Sequence, residues 1–146
     1  MNQPEIRRAR PDDLAQLCRL VADFYQVDGH EFDAARVRAA LSPLLRDDQH
    51  GQVWVACADR LVGYAVVTWS YSLESGGRDC VLDELYAETP GQGVGAALLR
   101  RAIDEARSAG AAAMYLETEV PNDAARRFYG RHGFAADDSV WMHRPL

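Results

Sequence analysis

Partway along this chain the apolar residues change their spacing, and neither an all-helical nor an all-sheet fold accommodates both patterns. Leu14, Leu17, Cys18, Val21 and Phe24 keep a helical spacing. They follow Arg10-Pro11-Asp12-Asp13, a helix start with proline and acids in its first turn. Val37, Ala40 and Leu41 continue this period in a second helix over 33–41, which Ser42-Pro43 should break or restart near Leu44-Leu45. From residue 52 the period is two: Val53, Val55 and Cys57 alternate with Trp54 and Ala56 in a strand over 52–58. Asp59-Arg60 is a tight turn, 61–71 a long strand, 72–78 a Gly/Ser loop and 80–87 a third strand of the meander. The helical period returns in Val94, Leu98, Leu99, Ala102, Ile103 and Ala106, closed by Gly110. Strands over 5–9, 112–120 and 139–144 and a helix over 123–131 complete the order β-α-α-β-β-β-α-β-α-β. That is an α+β chain with a mixed sheet and helices on both faces.

The length of 146 residues suits one domain, spanning 1–146, with a single sizeable core. A net charge of −6 argues against a nucleic-acid surface. No apolar run approaches the roughly 20 residues of a membrane span, and no apolar leader core follows the polar N-terminal stretch, so a cytoplasmic protein is expected. Cys18, Cys57 and Cys80 are odd in number and scattered, and His30, His50, His132 and His143 show no ligand spacing. Neither a disulfide framework nor a metal site is expected. Every basic residue is Arg, so the chain offers no Lys side chain for modification.

Two segments carry chemistry. Gly91-Gln92-Gly93-Val94-Gly95 stands between a strand and a helix, where backbone N–H groups can converge on an anion and the helix's positive end is turned toward it. Pro121-Asn122-Asp123 through Gly133-Phe134 reads as a short helix with Asn122 as its cap. Tyr129 lies seven residues on, hence on the same helical face.

Asn122, Ala125, Tyr129, Gly133 and Phe134 fall without a gap on the pattern Asn-x-x-Ala-x-x-x-Tyr-x-x-x-Gly-Phe. With the glycine turn and the order of elements, the chain resembles the GNAT superfamily of N-acetyltransferases. The resemblance implies a GNAT fold with six to seven strands, and acetyl transfer from acetyl-CoA to a primary amine by direct attack in a ternary complex. It implies that Gly91, Gln92, Gly93, Val94, Gly95 and Ala96 hold the cofactor's phosphates, with Pro90 in a slot that is Arg or Gln elsewhere in the family. Anchored on the strand, Gln92-Gly93-Val94-Gly95-Ala96-Ala97 also satisfies the family pattern but shifts the helix phase; anchoring on Val94, Leu98 and Leu99 is preferred because it keeps Arg100 and Arg101 out of the core. It further implies that the backbone of Leu85, Tyr86 and Ala87 pairs with the pantetheine amides near a bulge, that Asn122 contacts the pantetheine arm, and that Tyr129 protonates the departing thiolate.

A Lys-like amine has a pKa of about 10.4 and is mostly protonated at neutral pH, so the reaction needs a base. The resemblance points to Glu84 and Asp83. Simple alternation puts Glu84 on the face of Leu82 and Tyr86, and Asp83 on that of Val81 and Leu85. By the same resemblance the acceptor site draws on Tyr25, Asp28, Glu31, Tyr71, Ser72 and Glu74, acids and aromatics that suit a cationic amine. Many relatives pair, which leaves both a monomer and a homodimer open for this chain. The rival reading is a non-catalytic acyl-CoA binding or regulatory module.

Overall fold

The computed structural model describes residues 3–146. These divide into two compact units, one up to Leu116 and one from Glu117 to Leu146.

The first unit is built on a five-stranded sheet. Its strands are β1 (Glu5–Arg8), β2 (Gly51–Cys57), β3 (Leu61–Ser72), β4 (Gly77–Ala87) and β5 (Met114–Tyr115), and their spatial order follows the chain. The first four are antiparallel; β5 joins β4 in parallel through Cys80↔Met114 and Val81↔Tyr115. Helices α1 (Leu14–Asp28) and α2 (Ala34–Arg46) cover one face, where Leu17, Leu20, Val21, Leu41, Leu44 and Leu45 pack on Val53, Val55, Tyr64 and Val66. Helix α3 (Val94–Ser108) covers the other, and a methyl placed on Gly63 would strike Leu98 and Val94 there. The layering follows from the period-two strands, which offer an apolar surface on both sides.

One ion pair anchors the entry to α1. Asp13 is 5% exposed, is held by both terminal nitrogens of Arg7 at 2.8 and 3.0 Å, and accepts the N–H of Arg10. The Arg7 guanidinium, with that N–H, holds the Asp13 carboxyl below the usual range.

Several boundaries differ from the sequence expectation. Pro43 does not break α2, which runs through it to Arg46. Leu41 before it and Leu44 and Leu45 after it are all buried, and this tertiary packing outweighs one missing hydrogen bond near the helix end. The expected 72–78 loop shrinks to a turn, since Ser72↔Gly77 and Tyr71↔Arg78 already belong to the ladder; Gly76 supplies a φ of 81°. The strand expected over 112–120 is only Met114–Tyr115, because Ala111-Ala112-Ala113 has little β preference and polar Glu117-Thr118-Glu119 follows it.

The second unit contains α4 (Asp123–Arg131), bounded where the sequence placed it. The strand expected over 139–144 is absent, so among the described residues the sheet has five strands rather than six or seven. Val140, Trp141 and Met142 are 74–89% exposed. Apolar residues occupy both alternating sets in that segment, so its pattern never specified a buried face.

Candidate active site

Strand β4 positions the candidate base through an irregularity in its ladder. Val66 pairs with Glu84 but Val67 pairs with Leu82, so Asp83 is an extra residue: a β-bulge. The bulge overturns the expected facing. Glu84 joins Tyr86 and Tyr64 on the α1/α2 side, while Leu82 joins Val67 on the α3 side. Asp83 is exposed at the bulge. Just beyond, the β4–β5 ladder stops: its last pair is Val81↔Tyr115, and among the described residues the stretch from Leu82 to Ala87 has no strand on that side. The backbone of Leu85, Tyr86 and Ala87 lies on this open edge.

Glu84 sits in a cluster of phenols. Tyr64 donates to its Oε1 at 2.7 Å and Tyr25, from α1, donates to its Oε2 at 2.6 Å. The rings of Phe24, Tyr64 and Tyr86 stack around them with centroids 5.5–6.5 Å apart. Burial lifts the Glu84 carboxyl above the ordinary carboxylate range; the two phenol hydrogen bonds and His30 oppose the lift, and Asp83 adds to it. Burial, then the nearby Glu84 charge, push both phenols well above their usual pKa, so both keep their protons at neutral pH. A carboxylate held at two oxygens, partly desolvated and with a raised pKa, is a competent proton acceptor.

The connection between α1 and α2 supplies the neighbouring groups. Tyr25 meets His30 and Phe32 edge-on at 5.7 and 6.1 Å, and His30 Nε2 lies 2.7 Å from Asp28 Oδ2. Tyr25 and Asp28 therefore belong to one cluster with Glu84. Glu31 is exposed beside them in sequence, while Tyr71, at 78% exposure, and Glu74 stand at the β3–β4 hairpin. Among the described residues no hydrogen bond or ring contact ties these last three to the cluster.

The glycine turn leads into α3 with Gly91 and Gly93 both at φ 80°. An added Cβ would meet nothing within 4 Å at either, so conformation rather than space demands glycine there. Gly93 is the N-cap, which leaves the first turn without a side-chain cap among Val94, Gly95 and Ala96. Leu98 and Leu99 are buried and Arg100 and Arg101 exposed, the phase that the helix-anchored motif requires. Pro90 is exposed and lacks an N–H to donate.

In the second unit Asn122 caps α4 by accepting the N–H of Ala125 at 3.0 Å. Arg126 binds the carbonyls of Glu119 and Val120 at 2.8 and 2.6 Å and pairs with Asp123, which fixes the chain entering the helix. Tyr129 packs edge-on to Phe128 and Phe134 at 5.1 and 5.7 Å, and burial raises its phenol. Its carbonyl accepts the N–H groups of His132 and Phe134, and Gly133 at φ 90° lets the chain turn back.

Sequence reasoning missed Tyr64, Phe24, Phe32 and His30. Tyr64 carried a usable signal: a buried tyrosine within Gly63-Tyr64-Ala65-Val66-Val67 needs a partner for its hydroxyl. Among the described residues no group of three or more His, Cys, Asp or Glu could hold a metal ion, and no helix is long and apolar enough to cross a membrane.

No curated protein sequence matches the chain. Among solved structures it is similar to the integron cassette protein HFX_CASS3 from the mobile metagenome of Cole Harbour Salt Marsh. The two share 28% identity and a TM-score of 0.86 over 97% of this chain and 90% of that one. It is also similar to a protein of Arthrobacter sp. FB24 provisionally assigned as an acetyltransferase (28% identity, TM-score 0.84, 97% and 96% covered). An aminoglycoside acetyltransferase from an uncultured soil metagenomic sample, solved with sisomicin, shares the fold at 20% identity (TM-score 0.78, 97% and 95% covered). The sequence profile of the acetyltransferase (GNAT) family matches residues 14–134, running through both units. With the glycine turn before α3 and the capped Asn122 helix in place, the chain belongs to the GNAT acetyltransferase family.

Proposed function

We propose that this chain is an N-acetyltransferase that moves an acetyl group from acetyl-CoA to a primary amine by direct attack in a ternary complex. The observation that carries the reading is Glu84: a half-buried, phenol-held carboxylate beside a bulge, next to an edge of β4 that no strand covers among the described residues. Both units belong to one domain in this proposal, because the family match spans them.

The residues present fit the cofactor. The open edge at Leu85, Tyr86 and Ala87 offers backbone groups to an extended amide chain, as an added strand would. Gly91, Gln92, Gly93, Val94, Gly95 and Ala96 offer a turn of positive-φ glycines and an uncapped helix start to phosphates. When bound, acetyl-CoA supplies the activated acetyl group. Asn122 positions the pantetheine arm, and Tyr129 keeps its proton for the leaving thiolate. A thiolate with a pKa near 8.5 leaves tolerably without help, so loss of Tyr129 slows turnover rather than ending it.

The amine is the harder partner. At a pKa of about 10.4 only about one molecule in 2,500 is neutral at pH 7. Glu84 takes the proton, and its raised pKa narrows the gap that proton must cross. Asp83, exposed at the bulge, is the second candidate. Tyr25, Asp28, Glu31, Tyr71 and Glu74 form the acceptor side, where acids draw a cation and an aromatic ring faces it. We place the protein in the cytoplasm, in keeping with its three free cysteines.

Acetyl-CoA offered with diamines, polyamines, amino acids, peptides and aminoglycosides should release CoA with at least one of them, measured by chromatography. Release with none counts against the reading. Acetyl-CoA binding without turnover selects the rival, a non-catalytic binding module.

A further inference from the structure

We propose that Tyr25, rather than Glu84, meets the acceptor nitrogen, and that it passes the amine's proton to Glu84 through its own hydroxyl. The inference rests on the acetyltransferase reading above and adds the identity of the group that performs the first step.

Both oxygens of Glu84 are already engaged, Oε1 by Tyr64 and Oε2 by Tyr25. The two phenols are not equivalent. Tyr64 is 0% exposed in the interior of the sheet and leads nowhere. Tyr25 is half-buried near the C-terminal end of α1, with its ring against His30 and Phe32 of the exposed α1–α2 connection. Of the two, Tyr25 alone joins the carboxylate to an accessible segment. Asp28, held to His30 at 2.7 Å, puts a carboxylate on that same segment, where a cation would arrive.

An N–H bond of the ammonium breaks and its proton bonds to Tyr25 Oη. The proton already on Oη crosses the 2.6 Å to Glu84 Oε2. The products are a neutral amine with a free lone pair, an unchanged phenol and a carboxylic acid. A free phenolate beside Glu84 would be two like charges in a desolvated site, so the two protons move together. Tyr64 is a positioning residue: it fixes the carboxylate from behind.

Two variants separate the roles, since Tyr25→Phe and Tyr64→Phe each remove one hydroxyl from Glu84 and keep the ring. Turnover of acetyl-CoA with the best amine among putrescine, spermidine, an aminoglycoside and a short peptide is measured in H₂O and D₂O. Tyr25→Phe should lower kcat by about 100-fold or more and shrink the solvent isotope effect; Tyr64→Phe should lower it less than about 10-fold and leave the isotope effect in place. Equal losses, or an unaltered isotope effect in Tyr25→Phe, overturn the relay while leaving the acetyltransferase reading intact. Absence of CoA release by the wild-type protein overturns that reading, and the relay with it. Low-field proton NMR adds a readout independent of turnover. Two hydroxyl resonances should appear in the wild type and one fewer in each variant, and the lack of the Tyr25 resonance refutes the relay.

Discussion

Gly63→Ala should destabilise the first unit through a collision that can be located to the atom. The new Cβ would stand 2.8 Å from the Tyr86 carbonyl oxygen, 3.1 Å from Leu98 Cδ1 and 3.2 Å from Val94 Cγ1. Non-bonded carbons settle near 3.5–4.0 Å, so α3 and β4 must each give by several tenths of an ångström. The oxygen cannot rotate away, because Tyr86 is in the ladder with Tyr64. Overpacking of this kind costs about 1–3 kcal/mol, and replacing glycine returns about 0.4–1 kcal/mol through the unfolded chain. A net loss of about 1–2 kcal/mol follows, equivalent to about 3–6 °C in Tm for a chain of this size. Urea denaturation reads it directly as a lower midpoint at unchanged slope. A midpoint at or above the wild type would refute the packing argument. Because the methyl presses on Tyr86 and on the first turn of α3, the proposed function adds a weaker KM for acetyl-CoA.

Tyr64→Phe removes a hydrogen bond that favours the charged form of Glu84. Such a bond to a charged group is worth about 1.5–3 kcal/mol, so the Glu84 carboxyl should rise further above the usual carboxylate range, with Tyr25, His30 and Asp83 unchanged around it. The acid limb of the kcat/KM–pH profile should move up accordingly; a downward move contradicts the assignment. Asp13→Asn leaves the Arg7 guanidinium half-paired and should cost about 2–4 kcal/mol in urea titrations. The folded pKa of Asp13 is depressed, so its contribution is fully present above about pH 4 and fades as pH falls through the folded value. The variant should lack that acid slope, and an identical slope would exclude Asp13 as its source. Asn122→Ala should cost α4 about 1 kcal/mol, seen as faster amide exchange in 123–126, and unaltered exchange would show that the cap contributes little.

Much of the fold was legible because long apolar periods are hard to satisfy in more than one way. The phase of α3 and the β2–β3–β4 meander follow from spacing, and the α4 boundaries from the Asn122 cap and the glycine that ends the helix. What failed was decided by partners rather than by local pattern. Pro43 stays in a helix because buried leucines flank it, and the apolar run Val140-Trp141-Met142 forms no strand because it offers no single face to bury. Glu84 was identifiable as a candidate, but its surroundings were not. Tyr25 lies 59 residues away and Tyr64 20 residues away, and only the register of β3 against β4 and the packing of α1 bring them together. The sequence alternation also misplaced Leu82, since an extra residue in a ladder leaves no mark in a list of apolar positions.

That extra residue separates two properties a strand usually ties together. Leu82 already opposes Val67 and Glu84 already opposes Val66, so excising Asp83 would leave every flanking side chain in its own layer. What would vanish is the local curl that the surplus peptide imposes on β4. A shortened chain of this kind would keep its interior and the two phenols on Glu84, would lose the Asp83 charge beside that carboxyl, and would straighten the stretch along the open edge of β4. Shape at this spot can therefore be altered without recomposing the core, because it is set by the length of one strand and not by its composition.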